Sequence, residues 1–108
     1  MSIPKTIIVF VTASSINEAR EIGKTLVEER LVACCNIINS IESIFQWQGK
    51  INIESEVLMI CKTKEELFKR VEDRVRKLHS YDVPEIIAVP ITHGSKDYLD
   101  WVGKETIQ

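Results

Sequence analysis

Apolar and polar positions alternate most regularly along Val32–Lys62. On the first arm Ile37, Ile41, Phe45 and Trp47 share one parity, and on the second arm Ile51, Ile53, Val57, Met59 and Cys61 do the same. A period of two over this length predicts two long strands, each with one buried face. Between them Gly49 supplies a residue suited to a left-handed backbone, so the arms are expected to close as a hairpin. A three-residue loop at Gln48-Gly49-Lys50 would set Trp47 opposite Ile51, Phe45 opposite Ile53 and Ile41 opposite Val57. Those apolar pairs favour this register, which a bulge in either arm would change. An arm of about 14 residues at roughly 3.3 Å each reaches about 45 Å. A domain of this size is only about 30–35 Å across, so the tip is expected to project beyond its own core. An exposed apolar ribbon with free edges aggregates unless it is covered, which predicts a second subunit at the tip.

The hairpin is flanked by two strand–helix units. Thr6–Val11 is a continuous apolar run, the pattern of a central strand. Ser15 and Glu18 have capping-box spacing, and Ala19, Ile22, Leu26 and Val27 then recur at helical intervals. Gly23 within that helix is expected to permit close packing on the sheet. After the hairpin, Thr63 and Glu66 repeat the capping-box spacing, with Leu67, Phe68, Val71, Val75 and Leu78 as the buried stripe of a second helix. Its outer face places Glu65, Glu66, Glu72 and Asp73 four residues before Lys69, Arg70, Arg76 and Lys77, a solvated arrangement. Pro84 ends helical geometry before a last strand at Glu85–Ile91, where Pro90 predicts a sheet edge. Gly94-Ser95 opens a short helix packed through Tyr98, Leu99, Trp101 and Val102. The order strand-helix-strand-strand-helix-strand predicts an α+β ferredoxin-like βαββαβ plait, a four-stranded antiparallel sheet with two helices on one face, plus a short C-terminal helix. No linker or repeat interrupts it, so residues 1–108 are expected to form a single domain.

Composition narrows the functional classes. The charged share is 28% and the net charge is −2, with lysines and arginines scattered among the acids. That balance argues against nucleic acid or an anionic membrane as a general partner, and no aromatic RNA-binding motif is present. No apolar run approaches 18 residues, and the N-terminal MSIPKTIIVFVTASS lacks a signal-like core. Three cysteines, two of them adjacent, make no disulfide framework and point to a reducing cytoplasm.

Candidate chemistry is sparse. Cys34 and Cys35 point to opposite faces of a strand and cannot jointly chelate one ion, whereas the strand register decides whether Cys61 shares a face with Cys35. His79 ends the second helix, where the dipole favours a charged or hydrogen-bonded imidazole, and His93 lies in a loop. No nucleophile triad, phosphate loop or paired-carboxylate pattern stands out, so from chemistry alone the residues name no reaction.

The blocks LVACCNII (Leu31–Ile38), WQGKI (Trp47–Ile51), E-x-x-x-x-x-K-T ending at Lys62-Thr63, HSYDVPEIIAVPI (His79–Ile91) and YLDW (Tyr98–Trp101) together resemble the CutA, or divalent-cation-tolerance, family. The resemblance covers nearly the whole chain. It implies a ferredoxin-like plait, a homotrimer built through the long strands, a cytoplasmic protein of metal tolerance without an enzymatic reaction, and kinship of fold with PII-like signalling proteins. Copper is the first candidate metal, since imidazole and thiolate suit it. The copper site proposed for the family uses a Cys on the first strand and two consecutive His residues. Here those positions hold Val11 and Leu78-His79, so only His79 carries over as a metal ligand. Weak binding is expected, because one imidazole cannot offset the hydration of a divalent ion. Thiolates from Cys34, Cys35 or Cys61 would add to it only if assembly brings one close. The alternative is a PII-like module that binds a small anionic effector between subunits, with Lys62, Tyr81 and Glu85 as cleft residues and an effector-reading partner protein.

Overall fold

The computed structural model describes residues 5–108, so residues 1–4, the first part of the N-terminal MSIPKTIIVFVTASS stretch, lie outside the described residues. In chain order the elements are β1 (Thr6–Ala13), α1 (Ile16–Glu28), β2 (Cys34–Trp47), β3 (Lys50–Lys64), α2 (Phe68–Leu78), β4 (Ile86–Pro90) and α3 (Lys96–Glu105), with a single 3-10 turn at Glu65–Leu67 before α2. The four strands form one antiparallel sheet in the order β2-β3-β1-β4. The apolar run of β1 is therefore internal, and the strand containing Pro90 is an edge, where a missing ladder donor is tolerated.

Alternate side chains divide the sheet into two faces. Val9 and Val11 from β1 join Val57, Met59 and Cys61 from β3 beneath Ile22 and Leu26 of α1 and Val71 and Val75 of α2, in one buried cluster. Gly23 permits the close approach of α1, because a Cβ there would lie 3.1 Å from the Cys35 Sγ. Val27, expected on the packing stripe, is 40% exposed and belongs to the outer side of the helix. On the opposite face Ile8, Phe10, Leu58 and Ile60 are only half-buried or less deeply covered than the helix-facing set. Of the four expected packing residues in α3, only Val102 is fully buried, while Tyr98 and Trp101 stay substantially exposed.

The hairpin has its expected length but a different register. Trp47 pairs with Lys50 across a two-residue turn, Gln48-Gly49, in place of the three-residue loop. Both turn residues have positive φ (51° and 77°), the backbone that matches the twist of a two-residue hairpin. Phe45 consequently faces Asn52 and Ile44 faces Ile53. A register shift between Ile38 and Ile41 adds one residue to β2, with Ser40 at φ 66°. Before this bulge Ile37 pairs with Met59 on the helix-covered face; after it Ile41 pairs with Glu56 on the other. The parity shared by Ile37, Ile41, Phe45 and Trp47 is thus split between the two faces. The second capping box is also absent: Thr63 is buried within β3 and its hydroxyl donates to the Leu31 carbonyl at 2.6 Å. On α2, Lys69 pairs with Glu72 and Asp73, both at 3.3 Å.

Candidate functional site

The polar residues that converge do so where the segment after α2 crosses the end of the sheet. Ser15 caps α1 as its spacing predicts, its hydroxyl accepting from the Glu18 N–H at 3.1 Å. The Glu18 carboxylate reaches one residue further back than a capping box requires, accepting from the Ser14 N–H and hydroxyl at 2.9 Å each. Its second oxygen accepts from the Ser80 N–H at 2.8 Å, which ties the start of α1 to the segment after α2. Burial pushes the Glu18 carboxyl up, but the hydrogen bonds from Ser14 and Ser80 outweigh it and hold its pKa at about 2.

His79 is buried beside this junction. Its Nδ1 accepts from the Tyr81 N–H at 3.0 Å, so the ring proton sits on Nε2, 2.7 Å from the Thr12 carbonyl to which it donates. Both ring nitrogens are therefore engaged. The imidazole and the Tyr81 ring lie with centroids 4.8 Å apart, and the Tyr81 hydroxyl donates to Glu56 at 2.9 Å. Burial, followed by that carboxylate, pushes the Tyr81 phenol up to about 12. Glu56 is itself only 7% exposed, and the tyrosine is what makes its position on the ladder tenable.

Beyond Tyr81 a cavity of about 780 Å³ opens between the tip of the hairpin and the segment Tyr81–Glu85. Phe45, Trp47 and Tyr81 provide aromatic wall, and Glu54, Glu56, Asp82 and Glu85 provide carboxylates. No Lys, Arg or His among the described residues lines it. An anionic effector is therefore poorly matched to this space, whereas a cation is well matched. Tyr81 and Glu85 stand in it as the alternative expected, but Lys62 does not. Lys62 sits opposite Cys34 near the other end of the hairpin, and its ammonium donates to the Asn36 side chain.

The remaining candidates are dispersed. Cys34 faces the side where Tyr98 lies, its Sγ 3.7 Å from the Tyr98 hydroxyl. Cys35 and Cys61 are cross-strand partners beneath α1. His93 is exposed and bonded to its neighbour Thr92. Among the described residues no three His, Cys, Asp or Glu side chains are grouped closely enough to hold a metal ion. The described part of a single chain thus fits no tight metal centre. Glu18 and Thr12, which fix the site, have partners 62 and 67 residues away, and only the capping spacing of Glu18 is visible in the sequence.

Residues 7–105 match the CutA1 divalent ion tolerance protein family. The divalent-cation tolerance protein CutA of Thermus thermophilus is 46% identical over 99 residues, covering 92% of this chain and 96% of that one. A solved structure of a Thermus thermophilus divalent cation tolerance protein superposes with a TM-score of 0.92, covering 94% of this chain and 98% of that chain at 44% identity. The chloroplastic protein CutA of Arabidopsis thaliana is 42% identical over 94% of this chain, which spans 56% of that longer relative. A structure from Archaeoglobus fulgidus, described as a periplasmic divalent cation tolerance protein, gives a TM-score of 0.90 at 44% identity, covering 93% and 97% of the two chains. With a family match over nearly the whole length and a four-stranded antiparallel sheet and three helices that superpose on the family's structures, the chain belongs to the CutA1 divalent ion tolerance family.

Proposed function

We propose that the protein is a non-enzymatic, homotrimeric divalent-cation tolerance protein, one ferredoxin-like plait per subunit, which meets its cations through weak, largely hydrated contacts. The observation that carries this reading is the cavity at the hairpin tip, with four carboxylates and, among the described residues, no basic lining group and no convergent set of three ligands. Carboxylates spaced around a cavity attract a hydrated dication electrostatically without replacing its water shell. His79 is the candidate for direct copper ligation, and both of its nitrogens already serve the Thr12 carbonyl and the Tyr81 amide. A copper ion must displace one of these bonds, which supports weak binding. The strand order β2-β3-β1-β4 with α1 and α2 on one face supports the plait reading. No helix of the described residues is long and apolar enough to cross a membrane, and the three free cysteines suit a reducing cytoplasm.

Calorimetric titration of the full chain with copper, and separately with magnesium, tests the proposal. The expected affinities are in the micromolar range or weaker. Glu54→Gln combined with Glu85→Gln should reduce dication binding several-fold, and His79→Ala should remove a contribution specific to copper. Nanomolar copper affinity that survives all three substitutions would show that the site lies elsewhere.

A further inference from the structure

Cys35 and Cys61 stand directly opposite each other on β2 and β3, on the face covered by α1. Directly opposed antiparallel residues hold their Cα atoms roughly 4.5–5.5 Å apart, within the range a disulfide spans, and closing the bond draws the Cβ atoms from about 4.5–5.5 Å to about 3.8 Å. Both thiols are free; Cys61 is fully buried, and Cys35 is half-buried at the margin of the same cluster. Gly23 of α1 leaves room for the Cys35 sulfur, since a Cβ there would lie only 3.1 Å from it. The Cys35 S–H points toward the Asn36 carbonyl at 3.9 Å, and the proximity of the two sulfurs makes the thiols unequal. The neighbouring Cys61 thiol lowers the pKa of Cys35 against the opposing effect of burial, with help from the Lys62 ammonium, while the Cys35 sulfur and burial raise the pKa of Cys61. Cys35 is thus the nucleophilic partner and Cys61 the proton-bearing one. Cys34 projects to the other face of the sheet, toward Tyr98 and Asn36, and cannot join the pair.

We propose that Cys35 and Cys61 form a peroxide-oxidisable dithiol, a modification site that closes a disulfide across the base of the long hairpin. The Cys35 thiolate attacks one oxygen of hydrogen peroxide, and the O–O bond breaks. The departing hydroxide takes up a proton and leaves as water, and Cys35 becomes a sulfenic acid. The Cys61 sulfur then attacks the Cys35 sulfur, while its proton accompanies the sulfenic hydroxyl, which leaves as a second water. The two thiols have given up two electrons and two protons, and one peroxide has become two waters. An external dithiol reverses the step by exchange. The bond ties β2 to β3 within the helix-covered part of the sheet, on the same face as the Ile37–Met59 pair and before the bulge at Ser40.

The test uses the full-length protein, treated with a small excess of hydrogen peroxide, alkylated with iodoacetamide and digested with trypsin. Cleavage after Arg30, Lys50 and Lys62 releases Leu31–Lys50, which carries Cys34 and Cys35, and Ile51–Lys62, which carries Cys61. The expected product is these two peptides linked, about 2 Da lighter than their sum. Alkylatable thiols should fall from three to one and return to three after dithiothreitol. The linked product should persist in Cys34→Ser and vanish in Cys35→Ser and Cys61→Ala, the latter keeping the buried position apolar. Loss of the product in Cys34→Ser, a link between separate chains, or oxidation that stops at Cys34 with Cys35 and Cys61 still alkylatable would each overturn the proposal.

Discussion

Glu18 contributes to the fold in a way that depends on pH. Its carboxyl titrates at about 2 in the folded chain because the hydrogen bonds from Ser14 and Ser80 outweigh burial, against roughly 4.3 for an unperturbed glutamate. A depressed folded pKa means that the unfolded chain binds the proton more readily, so acid favours unfolding. The stabilisation is fully present above about pH 4.3 and is lost as the pH falls through about 2. Allowing for partial solvent screening, it is worth on the order of 2 kcal/mol. Glu18→Gln should therefore lower the urea midpoint at neutral pH and flatten the fall in stability on acidification. An unchanged acid profile would show that the junction does not depend on the charge. His79 is the second clamp. His79→Ala leaves the Thr12 carbonyl and the Tyr81 amide without their partner, which should cost roughly 2–3 kcal/mol in a thermal or denaturant melt and loosen the Tyr81 contact with Glu56. Neither role is readable from local sequence. The end of a helix explains a histidine at position 79, and a capping box explains a glutamate at position 18. The partners that define both residues come from distant elements.

The elements themselves are more legible than the way their ends are made. Strand and helix identities follow from periods of two and 3.6, and the observed order of elements matches that pattern. What the pattern does not carry is the handful of non-glycine residues in left-handed backbone, Arg30, Ser40 and Gln48. Gln48 precedes the one glycine that signals a turn, but its own positive φ, which makes the loop two residues long, has no such signal. Ser40 has no glycine beside it, so the bulge that reverses the faces of β2 reads as uninterrupted alternation. Arg30 ends α1 where glycine is usual, with the Leu31 amide bonded to the Leu26 carbonyl and the Arg30 amide to the Val27 carbonyl. Its guanidinium donates to the Lys104 and Glu105 carbonyls, which satisfies the end of α3 as well as that of α1. These positions predict opposite signs for one kind of substitution. Gln48→Gly and Ser40→Gly should each raise stability by up to about 1 kcal/mol by relieving positive φ. Arg30→Gly should instead be neutral or destabilising, because the relief is offset by the lost cap on α3. Denaturant midpoints of the three variants decide this, and a gain at Arg30 as large as at Gln48 would mean that the cap contributes little.

At the scale of the whole molecule the hairpin decides what the chain must do. Its arms make the protein 49 Å long but only 26 by 22 Å across. Near the tip Ile44 is 64% exposed, Trp47 54%, Ile51 76% and Ile53 62%, and because the two-residue turn puts Trp47 on one face and Ile51 and Ile53 on the other, both faces of the ribbon are apolar. A face packed on its own sheet could shelter one set but not both, so the tip requires contacts from outside the chain. Among the described residues β2 is also an outer strand over its full length, with an unpaired ladder edge, whereas the opposite edge of the sheet is protected by Pro90 of β4. Head-to-tail contacts between copies cover such surfaces without limit unless the rotation closes, and a closed ring of three leaves no free tip to recruit a fourth. Sedimentation at low micromolar concentration should therefore give one species near three times the 12.4 kDa chain mass. Trp47→Ala and Phe45→Ala should each weaken assembly by roughly 2–4 kcal/mol, as buried aromatic anchors do. The expected sign is a concentration-dependent shift toward monomer together with a lower melting temperature. A wild-type chain that sediments as a stable monomer would leave the exposed tip without a partner and would remove the trimer from the proposed function. A Trp47→Ala variant that remains fully assembled would move the contact away from the tip and toward the open face of the sheet at Phe10 and Ile60.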